Sequence, residues 1–296
     1  AERLRTLSLA GQFREDAARA QRFSVEGPGV RLDYARQRID AGGVRLLAAL
    51  AAERGLPAWR SALFAGEPIN TTEQRAVAHT MLRAGAAAPR EARDTLQRMR
   101  ALAERLRADA RVRRIVHLGT GGSALGPQLV VDALGAQGTH LEFRFAANID
   151  PLDLERALEG ADPDTTRFVV ASKTFTTAET LANATAARHW LAGRDPARHF
   201  IAVTGRPEVA REFGVAEILP LPDAVGGRFS LWSAVGLTAL CAIGPDRFDA
   251  LLAGARDIDE HFLTAAPEEN LPVLMALIGV WNVNFLGAGS HAVLPY

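Results

Sequence analysis

Between residues 115 and 219 short β-branched and aromatic runs alternate with segments of helical character. This alternation constrains the fold more than any other feature of the chain. The runs occupy residues 115–118, 141–145, 168–171 and 200–204, with a weaker one at 218–219. Helical segments lie between them at 128–134, 152–158, 178–191 and 208–213. Strands that alternate with helices predict an α/β fold, a parallel sheet with helices on both faces. In such sheets ligands bind outside the carboxyl ends of the strands, where loops lead into helix N-termini.

The flanks read as helical. Segments 14–23, 44–53, 231–242, 247–262 and 273–284 predict helices, and Thr71 or Thr72 is a candidate cap for another near Glu73. Leu96, Met99, Leu102 and Leu106 form an apolar stripe at helical spacing, which implies packing. Residues 291–296 read as a strand.

Lys plus Arg and Asp plus Glu balance at 34 each over 296 residues. A neutral chain gives no electrostatic reason to expect nucleic acid or an anionic membrane as a partner, so any anion must be held by a local site. The single cysteine, Cys241, lies in an apolar run and reads as a buried thiol in a reducing compartment. The first residues hold no long apolar segment, and the stretch 271–281 is too short to span a bilayer. A cytoplasmic location is expected.

Three motifs carry chemistry. His117-Leu118-Gly119-Thr120-Gly121-Gly122-Ser123-Ala124-Leu125-Gly126-Pro127 follows a strand and precedes a helix, where backbone N–H groups can meet a phosphate or sugar. Gly119, Gly121 and Ala124 alone also satisfy a dinucleotide-binding pattern, but no lysine stands where a nucleoside-triphosphate loop needs one. Ser172-Lys173-Thr174-Phe175-Thr176-Thr177 places four hydroxyls and an ammonium at a strand's carboxyl end, suited to phosphate oxygens. Val225-Gly226-Gly227-Arg228-Phe229-Ser230-Leu231-Trp232-Ser233 sets Arg228 behind paired glycines, just before a helix expected from Ser230. An arginine there stays charged and can stabilise an oxyanion.

In this order the three motifs resemble those of the phosphoglucose isomerase family. Further agreement lies in Phe64-Ala65-Gly66-Glu67, Ile69-Asn70-Thr71-Thr72-Glu73-Gln74-Arg75-Ala76-Val77, Leu32-Asp33-Tyr34, Asp257-Ile258-Asp259-Glu260-His261-Phe262 and Ala292-Val293-Leu294-Pro295-Tyr296. The resemblance covers nearly the whole chain and displaces the dinucleotide reading. It implies a sugar-isomerase (SIS-type) five-stranded sheet and reversible interconversion of glucose 6-phosphate and fructose 6-phosphate through an enediolate. No cofactor or metal is implied, and the partners would be a hexose 6-phosphate and a second copy of the chain. Ser172, Lys173, Thr174, Thr176 and Thr177 would hold the phosphate, Gly122 and Ser123 would line the pocket, and Arg228 would stabilise the enediolate.

Two departures qualify it. Ala124 stands where the family usually has Asp, so a local hydrogen bond is expected to be missing. The family's proton-transferring glutamate, and its ring-opening histidine and lysine, lie in motifs that these 296 residues do not hold. The chain is therefore expected to carry the phosphate site without the base. A non-catalytic sugar-phosphate-binding module is the alternative.

His117 and His79 read as structural, the latter within a helix. His189, His199, His261 and His291 form no acid–base set, and the seven histidines and one cysteine form no zinc pattern. Glu73 and Glu179 read as helix-start charges. The expected domains are a helical region at 1–96, the sugar-phosphate-binding sheet at 97–245, and helices and a strand of a larger domain at 246–296.

Overall fold

The middle of the chain forms a sheet of five parallel strands, as the alternating pattern predicts. This arrangement is seen in a computed structural model that describes residues 8–295. Two compact units divide the chain. One spans Gly66–Ala253, and the other joins Ala1–Ala65 to Gly254–Tyr296. Compactness thus draws boundaries at 65/66 and 253/254, whereas the sequence pattern draws them at 96/97 and 245/246.

The second unit holds a two-stranded antiparallel hairpin, β1 (Ser24–Gly27) and β2 (Val30–Asp33). Helices α1 (Leu9–Glu15), α2 (Ala41–Glu53) and α3 (Leu56–Ala65) belong to it as well. Phe23, Tyr34, Ile39 and Leu47 share a core there with Val273, Leu274 and Trp281. Arg19 is buried and donates to the carbonyls of Ala35, Gln37 and Ile39, which fixes the turn after the hairpin. The helix expected at 14–23 is broken. Asp16 is extended, and its carboxylate accepts from Ala18 N, a local bond that competes with the helix ladder.

In the sheet unit, α4 (Arg90–Ala108) leads to β3 (Arg114–Gly119), α5 (Gly122–Leu134), β4 (Glu142–Ala146) and α6 (Pro151–Leu158). Then come β5 (Thr166–Ala171), α7 (Ala178–Trp190), β6 (Phe200–Thr204), α8 (Pro207–Glu212) and β7 (Glu217–Pro220). The strands lie in the order β4-β3-β5-β6-β7. Every residue of β3 and β6 is buried, as expected for central strands covered on both faces. Alternate side chains feed two cores. Ile115, Val169 and Ile201 meet Met99, Leu102 and Leu106 of α4, which bears out the apolar stripe. Val116, Phe168 and Phe200 meet Ala184 and Leu191 on the other face.

After the sheet come α9 (Leu237–Ile243), α10 (Pro245–Thr264) and α11 (Leu271–Val280). The helix expected at 231–242 is interrupted. Gly227–Trp232 and Ala234–Gly236 are 3-10 turns, because Ser233 is extended and its hydroxyl caps Val235 N. Beyond α11 a π-type turn covers Trp281–Phe285. Residues 291–295 form no strand, since a strand needs a hydrogen-bonded neighbour and none stands beside them among the described residues. Residue 296 lies outside the described residues. Among those residues no helix is long and apolar enough to cross a membrane.

Candidate functional site

The strand order creates the site's location. From β3 the chain crosses to β4 on one side, then returns to β5 on the other. The carboxyl ends of β3 and β5 therefore flank the point where the connections diverge, the place where α/β sheets bind ligands. The glycine loop leaves β3 there and the hydroxyl loop leaves β5.

Both loops end in helix N-termini whose amides have no side-chain cap. Gly121 precedes α5 with φ +56°, a conformation that favours glycine. Gly122 and Ser123 thus stand in the first turn of α5 rather than in a loop, several residues before the sequence places that helix. Thr177 precedes α7, and its hydroxyl is spent on Ser172 Oγ, 3.1 Å away, instead of capping the helix. At α5 the Ser123 and Ala124 amides already bond the carbonyls of Thr120 and Gly121, so the open amides there reduce to that of Gly122. The positive ends of two helix dipoles nonetheless stand at adjacent strand ends, an arrangement suited to an anion.

The hydroxyl loop is held in an unusual conformation. Phe175 has φ +53°, yet its ring is fully buried and meets Phe213 edge-on. The burial offsets a backbone cost of about 1–3 kcal/mol. Thr174 and Thr176 on either side remain exposed, with their hydroxyls 2.8 Å apart. The Lys173 carbonyl accepts from Gly205 N and the Thr204 hydroxyl, which anchors the loop to β6. The Lys173 ammonium donates to the Asp223 carbonyl at 2.5 Å. Burial, and then the nearby Arg75 guanidinium, lower the Lys173 pKa.

The arginine loop touches the glycine loop directly. A Cβ on Gly122 would lie 2.2 Å from the Gly227 carbonyl carbon, so only glycine allows this approach. Ser230 Oγ reinforces it, lying 3.1 Å from the Gly122 oxygen and 2.7 Å from that of Gly227. Arg228 sits inside the 3-10 turn rather than before a helix, and is exposed. It lines a cavity of about 320 Å3 with Asn70, Glu73 and Arg75.

Asn70–Arg75 is a turn, not the expected helix start. Asn70 accepts from Thr72 N and Glu73 N, and a bridge to Arg75 closes it. Glu73 is ion-paired to Arg75, whose hydrogen bond holds it below the usual carboxylate range. Arg75 also donates to the Asp223 carbonyl, so two cations share that oxygen. Sequence reasoning misses Arg75, Asp223 and Ser230 as ties between loops. Ser230 is visible inside its motif, whereas a main-chain oxygen such as that of Asp223 leaves no sequence signal.

The remaining candidates are accounted for. His117 is fully buried between Thr238 and the Ser123 carbonyl, as expected for a structural histidine. His79 precedes the 3-10 turn Thr80–Arg83 rather than sitting in a helix, and stacks on Phe229 at 4.3 Å. Cys241 is a buried free thiol, its pKa pushed up to about 12 by burial. Ala124 is fully buried. Among the described residues no group of three or more His, Cys, Asp or Glu side chains is placed to hold a metal. The Asp153 carboxylate just past β4 accepts from Ala147 N and Asn148 N and is not presented to a ribose.

Comparison with known proteins bears on the family and the fold. The family model for phosphoglucose isomerase matches residues 33–296. A glucose-6-phosphate isomerase from Aromatoleum aromaticum is 50% identical over 100% of this chain and 58% of its own length. One from Anaeromyxobacter sp. strain K is 46% identical over 99% of this chain and 58% of its own. The crystal structure of a glucose-6-phosphate isomerase from Chlamydia trachomatis superposes with a TM-score of 0.87 at 32% identity, over 97% of this chain and 60% of that one. A hypothetical protein from Thermus thermophilus gives a TM-score of 0.64 at 31% identity, over 80% and 55%. The chain thus spans less than two thirds of the length of these relatives.

Proposed function

Because the chain belongs to the phosphoglucose isomerase family, we propose that it forms the phosphosugar-binding part of an aldose–ketose isomerase acting on glucose 6-phosphate and fructose 6-phosphate. The observation that carries this reading is the meeting of two uncapped helix N-termini with Ser172, Lys173 and Thr177 at the divergence of β3 and β5. A phosphate dianion needs several donors and fixed positive charge, and this edge of the sheet supplies both.

In this reading Ser172, Lys173, Thr174, Thr176 and Thr177 take the phosphate, and Gly122 and Ser123 line the sugar. Residues 97–245 form the SIS-type sugar-phosphate-binding domain, and residues 1–96 and 246–296 belong to a larger one. Arg228 carries no carboxylate partner among the described residues, so its charge is free to stabilise an enediolate oxygen. The site's own titratable groups do not supply a base. His117 is enclosed, with its pKa lowered to about 4 by burial, and Glu73 is held by Arg75. These residues alone would bind without turnover, and the complete enzyme would be a cytoplasmic homodimer of glycolysis and gluconeogenesis that needs no metal or cofactor.

Calorimetric titration with glucose 6-phosphate, paired with a coupled isomerase assay on the same sample, tests the reading. Binding without turnover by this chain, and turnover by a version extended to the relatives' full length, are the expected results. Absence of phosphosugar binding in both would overturn it.

A further inference from the structure

In an α-helix each carbonyl accepts from the N–H four residues on. At the start of α5 the Gly121 carbonyl follows this rule, accepting from Leu125 N at 2.9 Å. For Ser123 the residue four on is Pro127, which lies inside the helix and has no N–H. The Ser123 carbonyl has therefore lost its helical donor, and such a loss in a partly buried position calls for another.

His117 supplies it. Its Nε2 lies 2.7 Å from the Ser123 oxygen, and its Nδ1 lies 2.8 Å from Thr238 Oγ1 of α9. A carbonyl can only accept, so Nε2 carries the proton. Nδ1 must then accept from the Thr238 hydroxyl. The alternation of β3 turns Ile115 and His117 to the α9 face, and a glycine at 119 leaves room for the carbonyl, which would lie 3.0 Å from a Cβ there. The ring is fully buried, and burial keeps it neutral in the ordinary pH range.

We propose that His117 is a positioning residue of the glycine loop: its Nε2–H replaces the helix hydrogen bond that Pro127 removes, fixing Ser123 and the first turn of α5 for ligand binding. The proposal rests on the phosphosugar reading for its binding consequence, but not for its structural one.

A double-mutant cycle separates the two. In His117→Leu, glucose 6-phosphate binding should weaken about tenfold, and amide hydrogen exchange in residues 121–126 should speed up by a similar factor. Pro127→Ala returns an N–H to position 127, and in the His117→Leu background should bring both readouts back to within about threefold of the parent. His117→Gln, whose amide can donate from near the place of Nε2, should retain most of the binding. Rescue would not follow from a merely space-filling role. The proposal is overturned if the double variant, cooperatively folded, stays as weak and as fast-exchanging as His117→Leu. Should His117→Leu fail to fold, restored folding in the double variant supports the proposal and continued failure overturns it. If the parent chain does not bind glucose 6-phosphate, the functional reading falls, and the exchange measurements alone decide the role of His117.

Discussion

The two ends of the parallel sheet use charge to different degrees. At the amino ends arginines are closed off by carboxylates of their own unit. Arg105 meets Glu217 at 2.6 Å, Arg111 meets Asp109 at 3.0 Å, Arg114 meets Glu142 at 2.6 Å and Arg194 meets Asp164 at 2.5 Å. Arg111 holds the Asp109 carboxyl pKa down to about 2, and Arg194 lowers that of Asp164. A cavity of about 710 Å3 opens there, yet most of the charges lining it are already neutralised. At the carboxyl ends Arg75 pairs with Glu73 and Lys173 lies 3.7 Å from the Asp223 carboxylate, and both cations share a main-chain oxygen. Arg228, however, has no carboxylate among the described residues, and two helix N-termini lack side-chain caps. Cavity size does not mark the ligand end. The carboxyl end differs in holding Arg228 and uncapped helix amides, donors open to an anion.

The largest effect that would test this contrast is structural. Arg114 bonds Glu142 and the carbonyls of Ala157 and Glu159 from a side chain only 10% exposed. Arg114→Ala should cost about 3–5 kcal/mol of stability, read by denaturant unfolding, because two carbonyls lose their donors at about 1–3 kcal/mol each, while Glu142 keeps Arg144 as its remaining partner. Were it to weaken phosphosugar binding in the folded protein as well, the two ends would not be independent.

Acid acts on the other end. Burial lowers the His117 pKa from 6.5 to about 4, and its two hydrogen-bond partners, Thr238 and the Ser123 carbonyl, are uncharged. The unfolded chain therefore takes up a proton first. The contribution is fully present above pH 6.5 and is lost progressively as pH falls toward 4, by roughly 3 kcal/mol in total. Unfolding curves across that window, with His117→Gln as the reference that lacks the titration, should show the difference. Identical pH dependence in the two would mean that His117 is not the group responsible.

Lys173→Ala should weaken glucose 6-phosphate binding by about 10- to 100-fold, the worth of one charge-assisted hydrogen bond to phosphate. Stability should change little, since Lys173 is partly exposed and its partner Asp223 keeps Arg75. The smallest effect belongs to Arg111→Ala, which removes an exposed pair at the amino end. Solvent screens that pair, so the unfolding midpoint should barely move and the affinity should stay unchanged. An affinity loss from Arg111→Ala equal to that from Lys173→Ala would erase the distinction between the ends.

Much of the fold is legible in the sequence because buried parallel strands need unbroken apolar runs. The strand Phe200–Thr204 matches its run to the residue, and 115–118 and 168–171 fall short only at the polar Arg114, Thr166 and Arg167 and at Gly119, which has no side chain. The failures share another cause. At Asp16, Asn70 and Ser233 a short polar side chain bonds the nearby backbone and stops a helix that composition favours. The candidate site is legible as motifs, since Ser172 to Thr177 and Gly226 to Ser230 announce their donors by type.

The sequence by itself determined the α/β alternation, the three ligand-suited loops and the buried state of Cys241 and His117, because periodicity and residue type act locally. Only the tertiary structure decided that the glycine and hydroxyl loops stand side by side, since strand order is set by long-range pairing. It alone decided that Gly122 must admit Gly227, that Asp223 joins Lys173 to Arg75, and that a histidine in one strand answers for a proline ten residues on. Those ties run through main-chain oxygens, which every residue carries alike and no sequence can single out.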